Sequence, residues 1–236
     1  MTPGRFTFAP RVVPTVAMVL FVALTLSLSR WQAHRADEKR ALQSQMEARL
    51  AEPPLTLTGA VPSEEPLLFR RVHVSGEWIP EGQVFIDNRV EGERAGFDVI
   101  TPLRIRGTSE AVLVNRGWIE RTAAYPAAPA VDVPAGPVEV SGVATVPPRR
   151  FIELSSETVT GNVWQNLSIA RYAAAMHRAV LPVVILDDHP PAGLAAVHAA
   201  PDTGIARHVE YEFTWAAFAL TAVALWVALN LRKAAP

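Results

Sequence analysis

His208 stands five residues ahead of an uncharged apolar run, in the stretch ARHVEYEFTWAAFAL, and its neighbours are groups that could hold a flat amphipathic cofactor. If a helix begins early enough to include it, His208, Tyr211 or Glu212, and Trp215 share one face at i, i+3/i+4 and i+7. An imidazole can ligate iron, a large aromatic can pack on a macrocycle, and the guanidinium of Arg207 can pair with a propionate, a set that suits haem. The same residues have a plainer reading. Tyr and Trp are enriched at membrane interfaces whatever their function, and Trp31 sits at the matching height beyond a second apolar run. On composition alone the interfacial belt is the stronger of the two.

Other chemistry is thin. His34, His73, His177, His189 and His198 lack the close spacing of a metal site on one element. His73 falls on the polar face of a strand, and His177 ends a short helix, where an imidazolium would favour the local dipole. The sequence contains no GxSxG, P-loop, GxGxxG or HExxH motif. The acids Glu64-Glu65, Asp87, Asp98 and Asp187-Asp188 are scattered in the manner of a solvated surface, so a hydrolase is a minor reading. The absence of cysteine removes disulfides and thiolate chemistry. Met1, Met18, Met46 and Met176 are too dispersed to form a soft-ligand cluster for copper.

The elements that must position His208 are two apolar segments around a polar middle. Phe213 to Leu231 has 19 uncharged residues, about 28 Å as a helix and close to the hydrocarbon thickness. Val12 to Leu28 has 17, at the short end of the spanning range, and with Arg5 and Arg11 ahead of it the alternative is a secretory signal. The 23 acids all lie between positions 37 and 212, whereas the tails hold Arg5, Arg11, Arg232 and Lys233 and no acid. Both termini are therefore expected in the cytoplasm and the middle outside it. Arg30, Arg35, Lys39 and Arg40 just past the first segment are the counter-signal. The middle carries 18 basic and 23 acidic residues, formally −5, which gives no support for a nucleic-acid partner.

Residues 31–50 lack Gly and Pro and place Leu42, Met46 and Leu50 on one face, predicting a juxtamembrane helix that Pro53-Pro54 ends. From Leu55 the period becomes two: Leu68, Val72, Val74 and Trp78 on one face, Phe69, Arg71, His73, Ser75 and Glu77 on the other. Further strands are predicted over 83–87, 96–106, 111–118, 138–146 and 181–186, with Asn88, Gly92, Gly107 and Pro134 as turn signals. A helix is predicted over 167–178 and a loop over 189–206. Many short strands point to an antiparallel barrel or sandwich of ordinary single-domain size. The domain expectation is 1–11 as a cytoplasmic tail, 12–29 and 213–231 as spans, 30–212 as the exported domain, and 232–236 as a second cytoplasmic tail.

A series of blocks from Trp31 to the second apolar segment resembles the surfeit-locus family of cytochrome c oxidase assembly factors. They are Trp31-Gln32 with Arg35 and Lys39, Phe69-Arg70-Arg71-Val72 with Gly76, Ile86-Asp87-Asn88-Arg89, Gly96-Phe97, and Ile100-Thr101-Pro102-Leu103. The most specific is residues 112–119, VLVNRGWI, and the closing one is Arg207-His208-Val209-Glu210-Tyr211 with Thr214-Trp215. Gly117 inside a strand suggests a bulge or a close backbone approach, Asn115-Arg116 structural polar groups at a barrel rim, and Pro102 an edge or strand end.

The resemblance implies a multi-pass protein of the cell inner membrane, two transmembrane helices flanking a mainly antiparallel, barrel-like periplasmic domain with a short helix. It also implies that the protein is not an enzyme but assists maturation of the largest subunit of a haem-copper oxidase. Haem a is the implied cofactor, with His208 as iron ligand, Trp215 as its partner, and Tyr211 and Arg207 beside them. The implied partners are that oxidase subunit, a haem a synthesis enzyme and the lipid bilayer. Glu210, Glu212 and His34 depart from the family pattern. A cofactor-free scaffold for the nascent subunit is the alternative, with Ala216, Ala217, Ala219, Ala222 and Ala224 permitting close helix packing.

Overall fold

The uncharged run at Val12 begins a helix that continues well past its apolar end: α1 spans Val12–Ala51 without interruption in the computed structural model, which describes residues 6–59, 63–147, 159–198 and 204–233. Nothing between Ser29 and Leu50 would break it, and the side chains there pair as helical spacing allows, Arg35 with Glu38 and Arg40 with Asp37, each at 2.7 Å. Pro53-Pro54 follow its last turn, as expected. After a short helix α2 (Ile169–Ala175), the second apolar helix, α3, spans Ile205–Asn230. It starts eight residues before the predicted span and takes in part of the stretch expected to be loop, because Gly204 in a left-handed conformation (φ 57°) supplies the turn into it.

The chain divides into two compact units, Met1–Gln45 with Pro201–Pro236, and Met46–Ala200. In the first, the two helices run antiparallel in a fixed register. Trp226 Nε1 donates to Thr15 Oγ1 at 3.0 Å, and Ser29 Oγ donates to the Glu212 carbonyl at 3.0 Å. The interval from Thr15 to Ser29 equals that from Trp226 to Glu212, so the seam neither slips nor diverges between them. Thr25, Ala36 and Ala219 are buried, while Val12, Leu20, Phe213, Leu220 and Leu229 are exposed. Both helices are long and apolar enough to cross a membrane. The tails hold a feature that the sequence does not announce: β1 (Phe6–Phe8) pairs antiparallel with β11 (Leu231–Lys233), Thr7 opposite Arg232. Leu231 thus belongs to a strand and not to the helix before it, and Phe8 packs edge-on against Trp226 with ring centres 5.2 Å apart.

The second unit is mostly sheet. Its strands are β2 (Leu55–Leu57), β3 (Arg71–Trp78), β4 (Val84–Glu91), β5 (Arg94–Ile105), β6 (Ala111–Glu120), β7 (Pro137–Thr145), β8 (Val159–Thr160), β9 (Val163–Trp164) and β10 (Val180–Asp187), in the order β2-β3-β7-β10-β6-β5-β4-β9-β8. β3 also pairs with β5, so β3, β7, β10, β6 and β5 form a closed circuit of ladders. Three pairs, β2–β3, β10–β6 and β4–β9, are parallel. The other six pairings are antiparallel among the described residues, so the sheet is mainly antiparallel, as expected, with three parallel pairs the sequence did not indicate.

The period-two pattern decides what the circuit encloses. Val72 and Val74 of β3 turn inward with Leu103, Ile105, Val112, Val114, Val140 and Ile185 as one buried cluster. On the other face Val84, Ile86, Ile100, Leu113 and Val184 pack under α2 (Ile169–Ala175) with Trp164 and Tyr172. β6 is thus buried on both faces. Ser168 caps α2 by accepting from the Arg171 N–H at 3.4 Å, and His177 just beyond its end takes the left-handed conformation, φ 47°.

Three expectations need correction. Asn88 (φ 58°) is not a turn between strands but sits inside β4, where the β4–β5 register shifts. Pro102 is not at a strand end but is buried within β5, opposite Leu113. It is tolerated because β5 changes partner there, from β4 up to Ile100 to β3 from Leu103. The Pro102 carbonyl accepts from the Ile79 N–H at 2.9 Å on that side, and its missing donor falls in the gap between the two ladders. Phe69 (φ 59°) lies in the turn ahead of β3 and does not join its polar face. Gly117 behaves as its place in the strand suggests: its φ is 132°, and an added Cβ would lie 2.7 Å from the Ala195 carbonyl oxygen.

Candidate functional site

The register that brings Thr15 to Trp226 and Ser29 to Glu212 also brings Gln32 to His208, one turn further along. His208 lies in the first turn of α3, its N–H bonded to the Gly204 carbonyl at 3.3 Å, and its ring is half-buried. Nδ1 is 2.6 Å from Gln32 Oε1. A carbonyl oxygen only accepts, so this contact is a hydrogen bond in the tautomer protonated at Nδ1, which keeps a lone pair on Nε2. That arrangement, one ring nitrogen held by a protein oxygen and the other free to donate electrons, is common among metal-binding histidines.

Of the other expected site residues, Trp215 is half-buried two turns further along α3, its ring edge-on to Phe218 with centres 5.7 Å apart. Tyr211 and Arg207 are exposed. No hydrogen bond, ion pair or ring contact joins Arg207, Tyr211 or Trp215 to His208 among the described residues. The helix places all four on successive turns, and among the described residues Gln32 makes the hydrogen bond to the imidazole. Arg35, which could have assisted Arg207 with a propionate, is engaged by Glu38, and His34 reaches the same carboxylate at 3.3 Å. A ring nitrogen of His208 would be the group to hold a haem iron here, with Trp215 two turns further along α3 and Arg207 adjacent in sequence.

Another concavity lies in the sheet unit, an apolar groove of about 570 Å³ lined by Leu167, Ile169, Ala170, Ala173, Val180 and Pro182, with Glu64 at its side. None of the described histidines lines it, so it offers no imidazole to a metal cofactor.

The blocks around Asp87, Gly96 and Asn115 assemble elsewhere in the sheet unit, where β4, β5 and β6 each carry a register irregularity. Arg121 Nη2 donates to Asp87 Oδ1 at 2.6 Å and to Asn88 Oδ1 at 2.8 Å, and its guanidinium lies 4.1 Å from the centre of the Tyr125 ring. Arg89 pairs with Asp98 at 3.2 Å, and Trp118 Nε1 donates to the Arg89 carbonyl at 3.2 Å. Asn115 and Arg116 are not rim groups but are buried. Asn115 Oδ1 accepts from the Gly117 N–H at 3.0 Å, and Arg116 donates to Gln83 Oε1 at 3.1 Å and to the Asp132 carbonyl at 2.9 Å, stacked 5.3 Å from Trp78. These are internal networks, with Arg89 Nε lacking a hydrogen-bond partner among the described residues, and they give the buried Asn115 and Arg116 of the VLVNRGWI block partners within the protein. The parts played by Gln83, Arg121 and Tyr125 could not be read from spacing, since their partners lie 33 to 38 positions away.

Asp98 in this network gives the unit a pH dependence. Burial pushes its carboxyl up to about 6, with Arg89 and Asn115 only partly opposing. The folded protein therefore holds a proton between the ordinary value of 3.8 and about 6 that the unfolded chain has released. Stability from this group is fully present below about 4 and falls as the pH rises through about 6, by about 3 kcal/mol in total. In Asp98→Asn this loss is absent. In detergent, unfolding curves at pH 4, 6 and 7.5 should show the variant gaining about 3 kcal/mol on the wild type as the pH rises, and parallel profiles would refute the assignment.

One mixed-sheet domain inserted between two apolar helices, with an imidazole poised where the second helix begins, is the class of protein this geometry defines. The SURF1 family matches residues 19–220, and the chain belongs to that family. A SURF1-like protein of Monosiga brevicollis is 26% identical over 227 residues, covering 91% of this chain and 86% of that protein. Surfeit locus protein 1 of Xenopus tropicalis is 26% identical over 239 residues, covering 92% and 76%. A SURF1-like protein of Rickettsia conorii is 23% identical over 225 residues, covering 91% and 90%.

Proposed function

We propose that this chain is a two-span protein of the cell inner membrane that binds haem a and assists its insertion into the largest subunit of cytochrome c oxidase. Both termini lie in the cytoplasm and the sheet domain, its five-stranded circuit read as a small barrel, lies in the periplasm. The exposed apolar side chains along both helices support the bilayer as their solvent, and the tail charges support the orientation. The observation that carries the reading is the Gln32–His208 pair at the head of the apolar hairpin, which leaves Nε2 with its lone pair.

Bound at this position, the iron supplies a coordination site that an imidazole can occupy. His208 donates that ligand, Trp215 offers an aromatic plane, Tyr211 flanks the site, and Arg207 offers a charge to a propionate. A single exposed-side ligand suits a carrier, which must release its cargo. The protein is not an enzyme in this reading, since its residues bind and release without breaking a bond. The oxidase subunit receives the cargo and a haem a synthesis enzyme supplies it.

The test is to purify the detergent-solubilised wild type from cells making haem a and to record its redox difference spectrum and pigment stoichiometry. Stoichiometric pigment supports the reading, and a colourless protein under haem abundance overturns it. The cofactor-free scaffold is favoured by one observation, the exposed small residues Ala217 and Ala224 on α3, which would let another helix approach closely.

A further inference from the structure

Hydrogen bonds tie α1 to α3 at Thr15–Trp226, Ser29–Glu212 and Gln32–His208, and the last involves a group that can bind a metal. Thr15–Trp226 and Ser29–Glu212 fix the rotation and translation of one helix against the other, so Gln32 is presented to His208 by the hairpin itself and not by local chance. The Gln32 side chain is half-buried, and its oxygen lies 2.6 Å from Nδ1.

We propose that Gln32 is a positioning residue that fixes His208 in the tautomer protonated at Nδ1 and directs the Nε2 lone pair away from α1, toward an incoming haem iron. This rests on the haem-carrier reading above. The choice of an amide has a consequence of its own. A carboxylate in the same place would also hold Nδ1–H, but it would make the imidazole a stronger electron donor and the bound metal harder to release. A glutamine carbonyl holds the ring without that added basicity, which suits transfer. An amide turned the other way would donate to Nδ1, put the ring proton on Nε2 and remove the ligand, so the direction of this one bond decides whether the site can coordinate.

Gln32→Leu keeps the bulk and removes the bond, and Gln32→Glu restores an acceptor. In the haem-free, detergent-solubilised full chain with nitrogen-15 histidine, the wild type should show His208 protonated at Nδ1 and unprotonated at Nε2, and Gln32→Leu should lose that preference. In haem a titrations followed by visible spectra, Gln32→Leu should bind roughly 10–100-fold more weakly than the wild type, the range expected for an outer-shell partner, and Gln32→Glu should recover binding with slower release. An unchanged tautomer in Gln32→Leu overturns the proposal, as does wild-type haem affinity in that variant while His208→Ala has lost it. Wild-type protein that takes up no haem overturns the carrier reading instead, and the tautomer spectrum then decides the role of Gln32 by itself.

Discussion

His208→Ala removes the coordinated haem spectrum and lowers haem a affinity by at least about 100-fold, more than loss of an outer-shell partner costs. The expectation follows from what else the site can offer. Trp215, Tyr211 and Arg207 supply contact area and charge, none of which binds iron as an imidazole does. The histidine nearest in sequence to Gln32, His34, is exposed and paired with Glu38. His34→Ala is therefore the internal control, with a spectrum and stoichiometry equal to the wild type. Trp215→Phe keeps an aromatic plane and should weaken binding by less than tenfold, about 1 kcal/mol, the scale of one aromatic packing contact. Retention of both pigment and oxidase maturation by His208→Ala would leave the scaffold as the surviving account.

The second large effect belongs to the sheet. Gly142 lies in β7 between two partners, opposite Val72 of β3 and Asp187 of β10. A Cβ built there falls well inside van der Waals contact with the Leu186 carbonyl oxygen and 2.8 Å from Ile185 Cγ2. The obstacle is backbone in a paired strand, which cannot swing aside as the tip of a side chain would. Gly142→Ala must push β7 and β10 apart, and it should cost about 3 kcal/mol or more, a large part of a typical domain's stability. Ser141→Ala, one position earlier, gives up a 2.7 Å bond to His73 at an exposed site and should change stability by under about 1 kcal/mol. Thermal unfolding of the two variants in detergent separates the cases, and equal midpoints would mean that the strands yield more readily than their pairing suggests.

Much of this fold was legible because alternation and breakers are local signals. Strands β5, β6, β7 and β10 fall within two residues of their predicted bounds, and the helix predicted over 167–178 appears as α2, whereas β3 begins three residues after Leu68. What escaped the sequence was non-local. The pairing of β1 with β11, the parallel β4–β9 ladder and the β3–β5 closure join segments whose own composition says nothing of their partners. Pro102 misled because a rule about edges was applied to a strand that has a local edge in its middle. At the candidate site, His208 and Trp215 stood out by type and spacing, whereas Gln32 was noticed only within a block. Its meaning depends on an antiparallel helix register that no single helix encodes.

The clasp between the two tails has a bearing on the order of biogenesis. Thr7 and Arg232, joined by a long hydrogen bond of 3.5 Å, are 225 positions apart, so the ladder that contains them cannot exist until Leu231–Lys233 have been made. Loop-closure cost grows only slowly with length, and by that stage the intervening helices have already shortened the search. The strand ahead of the first apolar helix therefore waits for one made only after the second.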